Sequence, residues 1–367
     1  MRASRRFRLL PNCPCLLLTV LVCLPATLLL ITIIQHPSAG IRHHTPHQQE
    51  QHYRNGSNGG GGSGSAEAFR ERMLARMASR RTHLHAACTR LGLHLPANDT
   101  LHRPNPWEFF INRKHHLIWC NVFKAASSSW MYNFNILAGY TPAYLRRTNT
   151  VALTLARRRY PRPSLAQLRQ ALNESLAFLV VRHPFERLLS AYRDKIQGAW
   201  PNTLHEKLGQ HIVSKYRLAT TQQDKKSMKS KKSYNPRWPT FSEFVRYLID
   251  VHRKGEVLDM HWTPIIEFCT PCHIEFDIIA KFETLHEDQR YLIDLAGLGH
   301  IIKPEWKNPS KGRNTKEVIS TYFSQLTIRQ MIQLYNIYRF DFEVFDYSLD
   351  DYTRMAKLEP SSPTSLP

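Results

Sequence analysis

The chain predicts a three-layer α/β domain around a central parallel sheet, and three observations point there. Apolar runs of strand length at His116 to Val122, Ala177 to Val181 and Phe276 to Phe282 read as buried strands. Helical patterns separate them, as in sheets whose strands are joined by crossover helices. Two of the strands feed directly into a helix, through Lys124 to Ser129 and through Arg182 to Pro184, where sheets of this class bind ligands.

Taken in order, residues 1–15 form a short tail with Arg2, Arg5, Arg6 and Arg8, and Leu16 to Ile34 is free of charge. That length is close to the roughly 20 residues that cross a bilayer as a helix. It exceeds the roughly 7 to 15 of a signal-peptide core, so the sequence predicts a transmembrane signal anchor at 16–34. The arginines before it place the N-terminus in the cytosol and the rest of the chain outside it. Residues 35–97 read as a stem, flexible to 65 because its His, Gln, Gly and Ser bury little apolar surface. Within it, 66–91 is helical, with Phe69, Met73 and Met77 on one face and Gly92 as the stop. The catalytic domain is expected over 98–352, and 353–367 as a disordered C-terminal tail.

Lysine and arginine number 50 against 29 aspartates and glutamates, a net charge of +21. Without the four tail arginines the remainder carries 21 − 4 = +17, which predicts an anionic partner. The expected topology disfavours nucleic acid and leaves membrane headgroups or an acidic polysaccharide, an anionic glycan or glycosaminoglycan, with a membrane met through the anchor. Lys225, Lys226, Lys229, Lys231 and Lys232 form either a contact for it or a solvated loop. Cys13, Cys15 and Cys23 lie at or in the anchor, where they are small apolar residues or acylation sites. Cys88, Cys120, Cys269 and Cys272 are expected to form disulfides in an oxidising compartment, with three pairings open. Cys269-Thr-Pro-Cys272 lacks a second pair at zinc-ligand spacing, and no metal is expected. Asn55, Asn98 and Asn173 lie in glycosylation sequons.

Further along, a helix is expected to Leu137, then a basic, proline-bearing loop over Thr141 to Pro163, then a helix over Leu165 to Leu176. Pro184 suits a helix first turn, from which Phe185, Leu188, Leu189 and Tyr192 recur on the buried face, with Arg187, Ser190 and Arg193 elsewhere. Trp200 to Trp238 is polar. Thr240 and Glu243 form a capping box for a helix buried through Phe241, Phe244, Val245, Leu248 and Ile249. Another helix spans Glu287 to Leu295, and Lys307 to Thr315 is a basic loop. Thr327 opens a last helix, buried through Ile328, Met331, Ile332 and Tyr335.

A strand, a small-residue loop and a helix start present backbone N–H groups and a positive helix end to an anion. Ala125 to Ser129 are small enough for phosphate to approach, and Lys124 adds a mobile charge. The G-x-x-x-x-G-K-[ST] loop of nucleotide triphosphatases is absent, which disfavours a kinase. Arg182 and Ser190 make a second anion clamp.

KAASSSW at 124–130 and RHPFERLLSAYRDK at 182–195 resemble the two phosphate-binding motifs of Golgi carbohydrate sulfotransferases that use 3′-phosphoadenosine 5′-phosphosulfate. PTFSEFVRYLID, His261-Trp262, CTPCHIEFDIIAKFETLHED and YLIDLAGLG are similar to the chondroitin, dermatan and N-acetylgalactosamine 4-O-sulfotransferases and the related glucuronyl sulfotransferase, over roughly Cys88 to Tyr352. The resemblance implies a P-loop-like sulfotransferase fold in the Golgi lumen on a single-pass type II anchor. It also implies transfer to the 4-O position of N-acetylgalactosamine in chondroitin- or dermatan-type glycans. Readings kept beside it are sulfation of glucuronic acid or of terminal glycoprotein sugars, and a non-catalytic glycan-binding protein of the same fold.

Carried over by residue, Phe123, Lys124, Ala125, Ala126, Ser127, Ser128 and Ser129 would bind the 5′-phosphosulfate. The stretch Arg182, His183, Pro184, Phe185, Glu186, Arg187, Leu188, Leu189 and Ser190 would bind the 3′-phosphate, through Arg182 and Ser190. Arg313 and Thr315 would close a late basic loop on the nucleotide. Phe123, Ser127 and His183 depart from the family pattern, in positions that bear on the acceptor. Lys124 would stabilise the leaving oxygen, and His261 is the candidate base, with His116, His183 and His273 as rivals.

Overall fold

The computed structural model describes residues 63–217, 237–304 and 315–357. The expected anchor at 16–34, the flexible stem, Cys13, Cys15, Cys23, Asn55, the lysine run at 225–232, Arg313 and residues 358–367 lie outside them. Among the described residues no helix is long and apolar enough to cross a membrane.

Helix α1 (Ser63–Arg90) opens the described chain. Its Met73 and Met77 are fully buried, and Leu84, Ala87 and Cys88 extend the same core. Arg76 and Arg80 grip the buried Asp288 at 3.1 and 2.7 Å. The helix expected in the stem is therefore built into the domain, whose core begins well before residue 98.

Strands β1 (Phe109–Asn112) and β2 (Leu117–Cys120) form an antiparallel hairpin. Helices α2 (Ser127–Leu137), α3 (Pro142–Arg147), α4 (Ala152–Arg159) and α5 (Leu165–Leu172) follow, then β3 (Leu176–Val181), parallel to β2. Next come α6 (Pro184–Ala191), a π-helical turn at Tyr192–Gln197, α7 (Leu204–Tyr216), α8 (Phe241–Arg253) and the short α9 (Ile265–Cys269). Strand β4 (Ile278–Lys281) joins parallel to β3, and α10 (Leu285–Leu295), α11 (Thr315–Phe323), α12 (Ile328–Val344) and α13 (Asp350–Thr353) complete the order.

The sheet order is β1-β2-β3-β4, so the expected parallel sheet carries one antiparallel edge. Every residue of β2, and every residue of β3 from Ala177 on, is buried. Successive strand residues face opposite ways, so both faces of the sheet are covered. One core surrounds the sheet and takes in α1, α2 and α10, and a second gathers the apolar faces of α6, α8, α11 and α12.

Three expectations change. Thr141 to Pro163 is not a loop: Thr141 caps α3 with Pro142 in its first turn, and Leu155 and Ala156 bury α4. The run of arginines masks that short apolar face. The polar stretch after Trp200 holds α7, capped by Thr203. Helix α12 has its expected cap but buries Met331, Leu334, Tyr338 and Phe342, while Ile328 and Ile332 are exposed, because the buried stripe is set by the partner helices rather than by the first apolar residues.

The four described cysteines form Cys88–Cys272 and Cys120–Cys269. The two cysteines of the C-x-x-C pair thus go to different partners, one on β2 and one at the end of α1.

Candidate active site

Strand β2 ends at Cys120 and the chain turns through Lys124 and Ala126, both in the left-handed region at φ +68° and +58°, before α2 begins at Ser127. Left-handed residues are uncommon outside glycine and mark a loop that its surroundings hold in place. No side chain caps α2, and the first N–H groups of a helix have no carbonyl of their own turn to donate to. Ala125 and Ser129 are buried, Ser127 is half-buried and Ser128 is exposed. Small residues with a bare helix start suit an approaching anion.

Lys124 Nζ donates to Asp194 Oδ2 at 2.9 Å, and Lys195 lies 3.3 Å from the same oxygen. Burial lowers the Lys124 pKa, against the raising effect of Asp194. Arg182, at the end of β3, is 5% exposed. It donates to the Lys124 carbonyl at 3.3 Å and to Glu186 at 3.2 Å, and its guanidinium lies 4.2 Å from the Phe282 ring centroid. Its Nε is buried with no hydrogen-bond partner among the described residues. That unmet donor beside the loop fits an anionic ligand, since buried donors are normally satisfied.

Several other residues of the second motif are packed into the core. Phe185, Leu188 and Leu189 belong to the second core, where Phe185 stacks on Phe323 with centroids 5.3 Å apart. Pro184 is buried in the first turn of α6. The His183 side chain accepts from the Phe185 N–H, pairs with the Ser348 carbonyl at 3.0 Å and stacks on Tyr352. Ser190 is half-buried in the last turn of α6. Thr315 is buried where α11 begins. Arg187 was expected off the buried face, yet it is 1% exposed. It donates to the Phe123 carbonyl at 2.9 Å and to the Thr263 carbonyl at 2.8 Å, and so ties the anion loop to the segment carrying His261.

His261 lies against that loop, its ring centroid 5.0 Å from Phe123. Its Nδ1 meets Asp259 Oδ1 at 2.6 Å, and its backbone N–H donates to the same oxygen at 2.8 Å. Asp259 Oδ2 meets His205 Nε2 at 3.2 Å. Burial acts to raise the Asp259 pKa, but the hydrogen bonds from His205 and His261 prevail and hold it well below the usual carboxylate range. Burial lowers His261, more than Asp259 raises it. The neighbouring Trp262 is buried, with its carbonyl held by the Tyr338 hydroxyl at 2.7 Å. Of the rival histidines, His116 sits beyond the far end of β2 and bonds the Glu174 carbonyl, and His273 follows α9 with its Nε2 buried.

His205, Asp259 and His261 bring one ligand atom each within 4.8 Å of one another, a geometry a metal ion could also accept. The hydrogen bonds already account for the grouping. Asp259 and His205 lie outside the motifs that mark the site in the sequence, and Asp194, though inside the second motif, is not among its anion-binding residues. For Asp259 the signal was its place two residues before His261, the spacing of a side chain that turns back onto its own backbone.

Residues 107–348 match the Sulfotransferase family. The chain belongs to that family. It is 31% identical to mouse carbohydrate sulfotransferase 11 over 266 residues, 71% of this chain and 71% of that protein. Human carbohydrate sulfotransferase 8 is 31% identical over 65% of this chain and 55% of its own length, and carbohydrate sulfotransferase 10 of Xenopus laevis is 27% identical over 65% and 66%. No solved structure gives a significant match. The resemblance read from the two anion motifs thus holds, and the protein is a sulfotransferase enzyme.

Proposed function

We propose that this sulfotransferase moves the sulfuryl group of 3′-phosphoadenosine 5′-phosphosulfate to a sugar hydroxyl of an anionic glycan, the 4-O position of N-acetylgalactosamine in chondroitin- or dermatan-type chains. The single observation that carries the reading is the Arg182 bond to the Lys124 carbonyl, which joins the two anion-binding motifs into one clamp. The named activity of the similar proteins supports a carbohydrate acceptor, and the basic charge supports an acidic one.

In this reading Lys124 and the backbone and hydroxyls of Ala125 to Ser129 hold the 5′-phosphosulfate, and Arg182 and Ser190 hold the 3′-phosphate, with Arg313 and, at the start of α11, Thr315 beside the nucleotide. The donor supplies the sulfuryl group and an anionic leaving phosphate. Lys124 neutralises the charge that collects at the loop mouth. His261 takes the acceptor hydroxyl's proton on Nε2, because the bond to Asp259 commits Nδ1 as donor. Phe123, packed on His261, helps to fix the base.

The enzyme would then be a single-pass type II protein of the Golgi membrane, with anchor 16–34 and its domain in the lumen. The exposed positions of Asn98 and Asn173 suit glycans there. Calorimetry with the desulfated nucleotide tests the clamp: binding to the wild type, weakened in Arg182→Ala, is expected, and no binding to the wild type contradicts it.

A further inference from the structure

From Phe109 to Asn173 the chain carries ten lysines and arginines and neither aspartate nor glutamate. The fold folds part of this stretch around a cavity of about 370 Å³. Arg113 and Lys114 come from the β1–β2 turn, and Arg159 and Arg162 from the segment that leaves α4. No lining residue is acidic.

This cavity is not the transfer site. It abuts Leu137 and Ala138 at the far end of α2 from the anion loop, so the two are separated by the helix length, roughly 15 Å. Arg162 is partly neutralised by Glu108 at 3.7 Å and lies 4.3 Å from the exposed Trp107 ring. Among the described residues, Arg113, Lys114 and Arg159 make no ion pair with a carboxylate. The carbonyls ending α2 contribute about half a negative charge, which several unpaired cations outweigh. Such a run could be a merely solvated face. Two elements distant in sequence converge here on one concave site with no acidic lining residue, and the bond from the Asn112 amide to the Tyr160 hydroxyl at 2.9 Å ties the two elements together in its wall.

We propose that this cavity is a second polyanion site, which holds carboxylated or sulfated polysaccharide away from the transfer site. The proposal rests on the reading that the acceptor is an acidic glycan. The consequence is that affinity for a long chain has a contribution that a short acceptor, confined to the transfer site, does not gain.

The test uses the full chain and the triple variant Arg113→Ser, Lys114→Ser, Arg159→Ser. A control loses equal charge elsewhere through Lys207→Ser, Arg253→Ser and Arg339→Ser. The probes are polymeric chondroitin sulfate for binding, polymeric and tetrasaccharide desulfated chondroitin for transfer, and phosphatidylserine vesicles. The cavity variant should bind the polymer about tenfold more weakly, with a matching rise in KM for the polymeric acceptor. Its KM for the tetrasaccharide should stay unchanged, which also shows that the variant folds. Unchanged polymer binding, an equal loss in the control, or a loss confined to the vesicles would overturn the proposal. Polymer binding that depends on the cavity without transfer to any acceptor would support this site and refute the proposed function.

Discussion

Asp259 holds His261 by two bonds to one carboxylate oxygen, from the ring Nδ1 at 2.6 Å and from the backbone N–H at 2.8 Å. A carboxylate at neutral pH only accepts, so Nδ1 carries the proton and Nε2 keeps the lone pair. Because burial lowers the His261 pKa, the neutral base persists below the usual histidine range, and the acid limb of kcat/KM should fall below about 6.5. Asp259 raises that pKa, so Asp259→Asn should move the limb further towards acid. The same change should lower kcat about a hundredfold and leave nucleotide affinity intact. A limb that stays in place, with normal kcat, would remove Asp259 from the mechanism.

His261→Ala should abolish most turnover, a loss on the order of 10² to 10⁴, while the desulfated nucleotide still binds. Calorimetry and initial rates on one preparation separate the two effects.

Lys124 is held by Asp194 at 2.9 Å, a bond that competes with a donor phosphate in the proposed reaction. Asp194→Asn should therefore tighten binding of the desulfated nucleotide severalfold. Lys124→Ala should weaken that binding and lower kcat. Equal affinities in wild type and Asp194→Asn would show that the pair does not compete with the nucleotide.

Arg187 joins the anion loop to the His261 segment through two carbonyls from a fully buried position. Arg187→Met should cost about 3 kcal/mol, seen as a fall in Tm of roughly 5 to 10 °C. Arg187→Lys should not restore the loss, because a single ammonium does not reproduce the fork that spans both acceptors.

The disulfide between Cys88 and Cys272 joins residues 184 apart and pins α1 to the domain. The double variant Cys88→Ser, Cys272→Ser should lose about 3 to 5 kcal/mol in a urea titration. A smaller loss would mean that the Arg76 and Arg80 contacts with Asp288 suffice to hold α1.

The parallel core of the sheet was legible because buried strands are continuous apolar runs, as at Leu176–Val181, and the turn from β2 into α2 because small residues follow a strand at a helix start. The edge strand β1 was not, since four residues with charges just after them carry little periodic signal. Arg187 is misplaced by periodicity, which treats a charge as solvent-facing, whereas a guanidinium that donates through two of its nitrogens to backbone carbonyls can be buried. The link from Asp259 to His205 joins residues 54 apart, and pairing at that range depends on tertiary folding that local patterns do not encode.

The most direct test of the central claim is transfer of radiolabelled sulfate from 3′-phosphoadenosine 5′-phosphosulfate to a panel of desulfated glycans by the full chain. Label is expected at the 4-position of N-acetylgalactosamine in chondroitin- or dermatan-type chains, and is expected to be lost in Lys124→Ala and His261→Ala. Absence of transfer to every glycan of the panel would contradict that claim.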